Sequence, residues 1–215
     1  MTRAATTDTT ETWPETGARL RFLRTDAPEP GEALSPAETL RLSAFRLDKR
    51  RREWLGGRLA AKALLSEAAG GAAPALFEIG MDHYGRPACR GTLLSISHSG
   101  GWALAALKPE SDFLGADLEK IEERHPAWYA DYFHSSELPV PEPSAATRLW
   151  AIKEAVMKAL GLGLMAHPLD IKEGEKGIEL KGKARDRWLA MGSPAFSVET
   201  RPFPEGFWTA VAAGK

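Results

Sequence analysis

Glu154 and Lys158 stand four residues apart in the stretch LWAIKEAVMKALGLGL, residues 149–164, with Trp150 four residues before them. Side chains at i, i+4 and i+8 stack along one side of a helix, so an aromatic, an acid and a base share a face. A solvated Glu–Lys pair usually does no more than steady its helix. The other residues of this helix ask for more. Leu149, Ile152, Val156, Ala159 and Leu160 form an apolar stripe on the far side, and Lys153 points toward that stripe, which suits it to a structural role. Core packing therefore leaves Glu154 and Lys158 unexplained. Trp150 and Met157 flank Glu154, and a carboxylate covered on such a flank needs a cation.

Further carboxylates lie upstream in LGADLEK. Strand side chains alternate, so Asp117 and Glu119 project from one face about 7 Å apart, able to converge on one hard cation. With Glu154 they make a three-carboxylate set suited to Mg²⁺, which keeps several waters and is completed by phosphate oxygens. Taken alone, Asp-x-Glu is a weak signal that most often marks just a strand with a wet face.

Groups that suit an anion come earlier still. Lys49-Arg50-Arg51-Arg52 is followed by Trp54 and Arg58, although such a run also describes a solvated helix face. Arg86 sits in a tight Gly-Arg-Pro turn that can hold a guanidinium toward a cleft. Ser97, His98 and Ser99 end a strand beside Gly100-Gly101, offering hydroxyl, imidazole and backbone donors. His83, His125, His134 and His167 show no metal-ligand spacing.

The elements that must position these groups are readable from patterning. Residues 1–17 are Thr-rich and aperiodic, which predicts a disordered lead. ARLRFLRT alternates as a strand, and Ser35-Pro36-Ala37-Glu38 announces a helix. A second helix runs from about Asp48 to Ala69 and stops at Gly70-Gly71. ALFEIG reads as a strand, residues 83–87 as a turn, and LLSISHS-GG-WALAAL as a hairpin. The second half offers the strand FLGADLE, a short helix near PAWYADYF, the opening helix with Ser144 as its cap, and strands near LDIKE, AFSVETR and FWTAVAA.

The two halves echo one another. A shift of 96 positions carries Trp54, Arg58, Lys62, Ala63 and Leu64 onto Trp150, Glu154, Lys158, Ala159 and Leu160, and GGWALAALK resembles GFWTAVAAGK. This predicts an α+β protein of two similar α/β subdomains about a pseudo-twofold axis, with a cleft between them. Residues 18–110 would form the first subdomain and 111–215 the second, and the duplication predicts a monomer built as a pseudo-dimer.

Composition bounds the rest. A chain of 215 residues, 43% hydrophobic, can bury a core. Its 28 basic and 29 acidic residues give net charge −1, so nothing global suggests a nucleic-acid or membrane partner. Cys89 is the single cysteine, no apolar run approaches a membrane span, and no signal peptide is legible; the expected location is cytoplasmic.

In chain order, RREWLGG, YGRP, SISHSGGW, LGADLEK, YFHSSEL, WAIKEAVMKALGLGL and HPLD span about residues 35–170 and resemble the surfactin-type 4′-phosphopantetheinyl transferases. The family pattern is a Gly-x-Asp-x-Glu strand followed some 30 to 40 residues later by Trp-x-x-Lys-Glu-x-x-x-Lys. Ala116 stands where Val or Ile is usual, Arg86 where the turn often has Lys, and Leu162 where some members have Lys. The resemblance implies Mg²⁺-dependent transfer of the 4′-phosphopantetheine arm of coenzyme A to a serine of an acyl or peptidyl carrier protein, releasing adenosine 3′,5′-bisphosphate. It implies Asp117, Glu119 and Glu154 as metal ligands. Lys158 would neutralise charge on the pyrophosphate or protonate the leaving group, and Glu154 would help deprotonate the serine directly or through water. Arg52, Ser97, His98 and Arg41 would contact phosphates, with the Arg86 turn near the nucleotide. The competing readings are a metal-dependent nuclease, which the near-neutral charge disfavours, and a carrier-binding protein without catalysis.

Overall fold

The computed structural model describes residues 10–215. The first half contains β1 (Thr10–Thr12), β2 (Arg19–Arg24), α1 (Pro36–Ser43), α2 (Asp48–Ala68), β3 (Gly80–Met81), β4 (Pro87–Cys89), β5 (Thr92–Ser99) and β6 (Trp102–Leu107). The second contains β7 (Leu114–Lys120), α3 (Pro126–Tyr132), α4 (Pro143–Ala159), β8 (Ile171–Gly174), β9 (Gly177–Leu180), α5 (Gly182–Ala190), β10 (Phe196–Arg201) and β11 (Phe207–Gly214). The mixture is α+β, and the topology repeats. The central strands of the six-stranded first sheet run β2-β6-β5, and the second sheet runs β10-β11-β7, so in each half the first long strand pairs with the last and the last with the long strand before it.

Alternation along the strands builds four layers. Trp102, Leu104 and Ala106 of β6 meet Leu114, Ala116 and Leu118 of β7 in a core between the two sheets. Ala105 and Leu107 face the opposite way and pack with Leu94 against Ala60, Ala61 and Leu64 of α2. On the outer face of the second sheet, Ala151, Ile152, Ala155, Val156 and Ala159 of α4 cover Ala210 and Ala212 of β11. Gly115 is what lets α4 lie this close to β7: a Cβ there would stand 1.9 Å from the Ala155 carbonyl oxygen. The capping box expected at α1 is present, with Ser35 accepting from the Glu38 amide and Glu38 from the Ser35 amide.

Several sequence readings need correction. Of the lead expected to be disordered, residues 1–9 lie outside the described residues, but residues 10–17 are ordered. Thr10–Thr12 pair with Arg19–Arg21, and Trp13 is completely buried between the sheets with Arg201 stacked on its ring. One aromatic anchor has no periodicity to betray it. ALFEIG is mostly not strand: Pro74–Leu76 form a single 3₁₀ turn, and the Ile79 amide bonds the buried Glu38 carboxylate in place of a neighbouring strand. The α4 cap is Glu142, whose carboxylate accepts from the Ser144 and Ala145 amides, while Ser144 Oγ accepts from Trp208 Nε1. Helix α5 had no counterpart in the sequence reading.

Candidate functional site

Strand β7 has one edge paired with β11, and its other edge is completed by side chains. Ser95, Ser97 and Ser99 of β5 accept from the backbone amides of Ala116, Leu118 and Lys120 in turn. The same hydroxyls donate across the joint, Ser97 to Asp117 Oδ1 at 2.7 Å and Ser99 to Glu119 Oε2 at 3.3 Å. The alternating serines of SISHS therefore lock the two halves together where the carboxylates emerge. The Ser97 hydroxyl, expected at a phosphate, is here buried and bonded to a carboxylate.

Asp117 acts electrostatically on both Glu119 and Glu154, and Lys158 acts on the same two. Helix α4 packs its Trp150–Glu154–Lys158 face over the Asp117 and Glu119 side of β7, which explains the spacing of the opening stretch. Lys158 Nζ reaches Asp117 Oδ1 at 2.6 Å, and Trp150 Nε1 donates to Glu119 Oε1 at 3.2 Å. Burial, with the Asp117 charge beside them, pushes Glu119 and Glu154 up to about 7 each, Lys158 acting in the opposite sense. Asp117 is only 2% exposed, and its Oδ2 is buried without any hydrogen-bond partner. Crowded, half-neutralised carboxylates with an orphaned oxygen fit a hard divalent cation in donor chemistry. Among the described residues, however, no three His, Cys, Asp or Glu side chains form a ready-made metal site. The Lys158 ammonium occupies one side of Asp117, so a metal-bound arrangement requires these side chains to move.

Lys153 has the structural role expected of it. Its side chain is 1% exposed and bonds Glu137 at 3.0 Å, together with the Pro168 and Ile171 carbonyls. Glu137 in turn accepts from the His134 and Glu173 amides, pinning YFHSSEL beside the helix.

The basic residues divide between places. Arg86 is consumed internally: it pairs with Asp82 at 2.7 Å and donates to the carbonyls of Asp112 and Ala159, so it caps α4 and ties the halves. Its guanidinium is not free for a nucleotide, although its turn lines a 200 Å³ cleft with Tyr84, Ile96, Lys158 and Gly161. Arg52 pairs with Asp48 at 2.8 Å and faces a separate hollow with Thr25, Lys49 and Gly101. Arg41 stands over the Trp54 ring and lines a 210 Å³ pocket with Arg50, Arg58 and His98. Burial lowers His98, opposed by Glu53 at 3.7 Å.

Helical register explains the division. Arg50, Trp54 and Arg58 are i, i+4 and i+8 on α2, and Arg52 leaves that stripe at a steep angle. Sequence reasoning places Arg50 and Arg58 among the groups that suit an anion but assigns neither a phosphate of its own, yet their spacing is the one that singled out Trp150, Glu154 and Lys158. The duplicated lysine differs as well. Lys62 is fully buried against Glu38 at 2.6 Å, whereas Lys158 keeps 27% of its side chain exposed to the cleft.

A family model described as the 4′-phosphopantetheinyl transferase superfamily matches residues 113–193, and one described as the 4′-phosphopantetheinyl transferase N-terminal domain matches residues 41–108. The chain belongs to the 4′-phosphopantetheinyl transferase superfamily. It is accordingly an enzyme of phosphopantetheinyl transfer. No curated protein sequence matches it. Similar solved structures include the holo-[acyl-carrier-protein] synthase of Helicobacter pylori in complex with coenzyme A, 23% identical over 47% of this chain and 99% of that one, with a TM-score of 0.39. The holo-ACP-synthase of Plasmodium yoelii is 18% identical over 49% of this chain and 94% of that one, with a TM-score of 0.40.

Proposed function

We propose that the protein transfers the 4′-phosphopantetheine arm of coenzyme A to a serine of an acyl or peptidyl carrier protein, with release of adenosine 3′,5′-bisphosphate and dependence on Mg²⁺. The observation that carries the reading is the convergence of Asp117, Glu119 and Glu154 on Lys158 at the joint between the halves. In this reading residues 18–110 supply the nucleotide contacts and residues 111–215 the acidic site.

Atoms balance in a single displacement. The serine Oγ forms a bond to the phosphorus that bears pantetheine, and the bond from that phosphorus to the bridging oxygen breaks. Adenosine 3′,5′-bisphosphate leaves with the electron pair. Glu154, held near 7 by burial, is matched to take the serine proton directly or through water at neutral pH. Lys158 sits where its ammonium can offset charge on the pyrophosphate and the departing oxygen. Asp117, Glu119 and Glu154 would hold Mg²⁺, which supplies charge neutralisation at phosphate oxygens when bound. Arg41 and His98 are the proposed phosphate contacts on the α2 side, with Arg52 at a neighbouring rim and the Arg86 turn walling the nucleotide cleft through its backbone.

The near-neutral net charge speaks against a nuclease. Incubation with coenzyme A labelled in its pantetheine arm, apo-carrier protein and Mg²⁺ tests the proposal. The expected result is label on the carrier serine and free adenosine 3′,5′-bisphosphate. Binding of the carrier with no label transferred would support the non-catalytic alternative.

A further inference from the structure

The alternating serines of β5 each accept an amide of β7, but they donate to different groups: Ser95 to the Ala116 carbonyl, Ser97 to Asp117 and Ser99 to Glu119. Ser95 therefore bridges backbone to backbone. Ser97 shares its Asp117 oxygen with the Lys158 ammonium, so a full charge holds that carboxylate whether or not the hydroxyl does. Glu119 is held differently. Its donors are neutral, Ser99 Oγ to Oε2 at 3.3 Å and Trp150 Nε1 to Oε1 at 3.2 Å.

Glu119 has more need of such donors than Asp117. Its side chain carries one more rotatable bond, and the last torsion before a carboxylate is broad, so a group tethered at one oxygen still turns. A donor on each oxygen fixes the carboxylate plane. Trp150 comes from α4 in the second half and Ser99 from β5 in the first, so the aim of Glu119 is set by both halves.

The Ser99 hydroxyl is itself aimed. It accepts the Lys120 amide at 3.2 Å, which leaves its own hydrogen for the carboxylate. The turn that follows presses it into place. Gly100 has φ +52°, and a Cβ there would stand 2.7 Å from the Phe207 ring and 3.1 Å from Lys120 Cδ. Phe207 lies directly opposite Lys120 in the ladder of β11 with β7. The tip of the β5–β6 hairpin thus packs against the two strand ends that border Glu119.

We propose that Ser99 is a positioning residue for the metal, holding Glu119 in the orientation of a ligand, rather than only completing the open edge of β7. The inference rests on the proposed function for the presence of the ion. Its test reads ion binding without substrate.

Mn²⁺ alone is the probe, because it takes the same oxygen donors as Mg²⁺ and its free-ion electron paramagnetic resonance signal falls as it binds. Ser99→Ala is expected to bind Mn²⁺ about tenfold more weakly than wild type, the effect of removing a partner that orients a ligand. Ser99→Thr keeps the hydroxyl and should recover most of that loss. Ser95→Ala removes a bridging hydroxyl that touches no carboxylate, so it should lower the thermal midpoint and leave Mn²⁺ affinity unchanged. The deciding comparison uses Glu119→Gln, which retains an oxygen donor, with and without Ser99→Ala. A hydroxyl that acts through Glu119 has no further effect on Mn²⁺ affinity in that background. Persistence of the full loss there overturns the inference, as does an unchanged affinity in Ser99→Ala or an equal loss in Ser95→Ala. A wild type that shows this pattern with Mn²⁺ but transfers no label to a carrier refutes the proposed function and leaves the role of Ser99 standing. A wild type that binds no Mn²⁺ overturns the inference together with the metal set.

Discussion

Asp117 is the residue on which the site turns, because one of its oxygens takes Ser97 and Lys158 while the other is buried and takes nothing. Burial first, and then that charge, pushes Glu119 and Glu154 up to about 7. Carboxyl groups raised in the fold stabilise it fully below their unfolded pKa, and that contribution is lost as pH rises through the folded value. The window runs from about 4.5, the ordinary value, to about 7. Adding Mg²⁺ at about pH 6 should therefore release protons, seen as a calorimetric heat that changes with the buffer's ionisation enthalpy. Heats independent of the buffer would contradict the proposed metal set. The carboxylates were legible in the sequence because strand and helix periods alone bring them to one side. The role of Ser97 was not, since nothing in SISHS says that the neighbouring strand lacks a partner on that edge. Arg52 was chosen from the basic run by resemblance, although the helical period favours Arg50 and Arg58.

At the scale of elements, the contact that positions the site is α4 lying on β7. Any side chain at residue 115 meets the α4 backbone, with a Cβ only 1.9 Å from the Ala155 oxygen. Gly115→Ala should cost about 2–3 kcal/mol or more in denaturant unfolding and lower turnover together with stability, because Glu154 and Lys158 ride on the displaced helix. Wild-type stability in this variant would contradict the packing. Helix α3 offers a second test. Trp128, Tyr129 and Tyr132 are half-buried while Phe133 is buried, and Tyr132 and Trp150 line an apolar groove of 630 Å³ with Met165 and His167. The groove adjoins Glu119 through Trp150, so Tyr132→Gln is expected to raise the KM for the carrier without changing coenzyme A binding. An unchanged carrier KM would contradict a part for this groove in carrier binding. Long periodic elements such as α2 and α4 were read close to their true limits. Short ones were not: β1 depends on one buried tryptophan, and α5 shows little beyond Ala184 and Trp188 as an inward stripe.

Across the whole molecule, one α/β unit occurs twice with the same strand order, and the two copies have taken opposite charges in the same niche. The repeat was visible in five residues at one offset, whereas the serine joint between the copies appears only once β5 and β7 are side by side. Net charge near zero over the chain conceals this polarity, with guanidinium groups on the α2 side and carboxylates under α4. The central claim is that the carboxylates of the second copy act together on the pyrophosphate of coenzyme A. It is tested most directly by measuring label transfer to apo-carrier protein at saturating Mg²⁺ for Asp117→Asn and Glu154→Gln, alongside their thermal unfolding. Each variant is predicted to retain a cooperative fold and to lose at least about a hundredfold in turnover. Near-normal turnover in either folded variant would contradict the account.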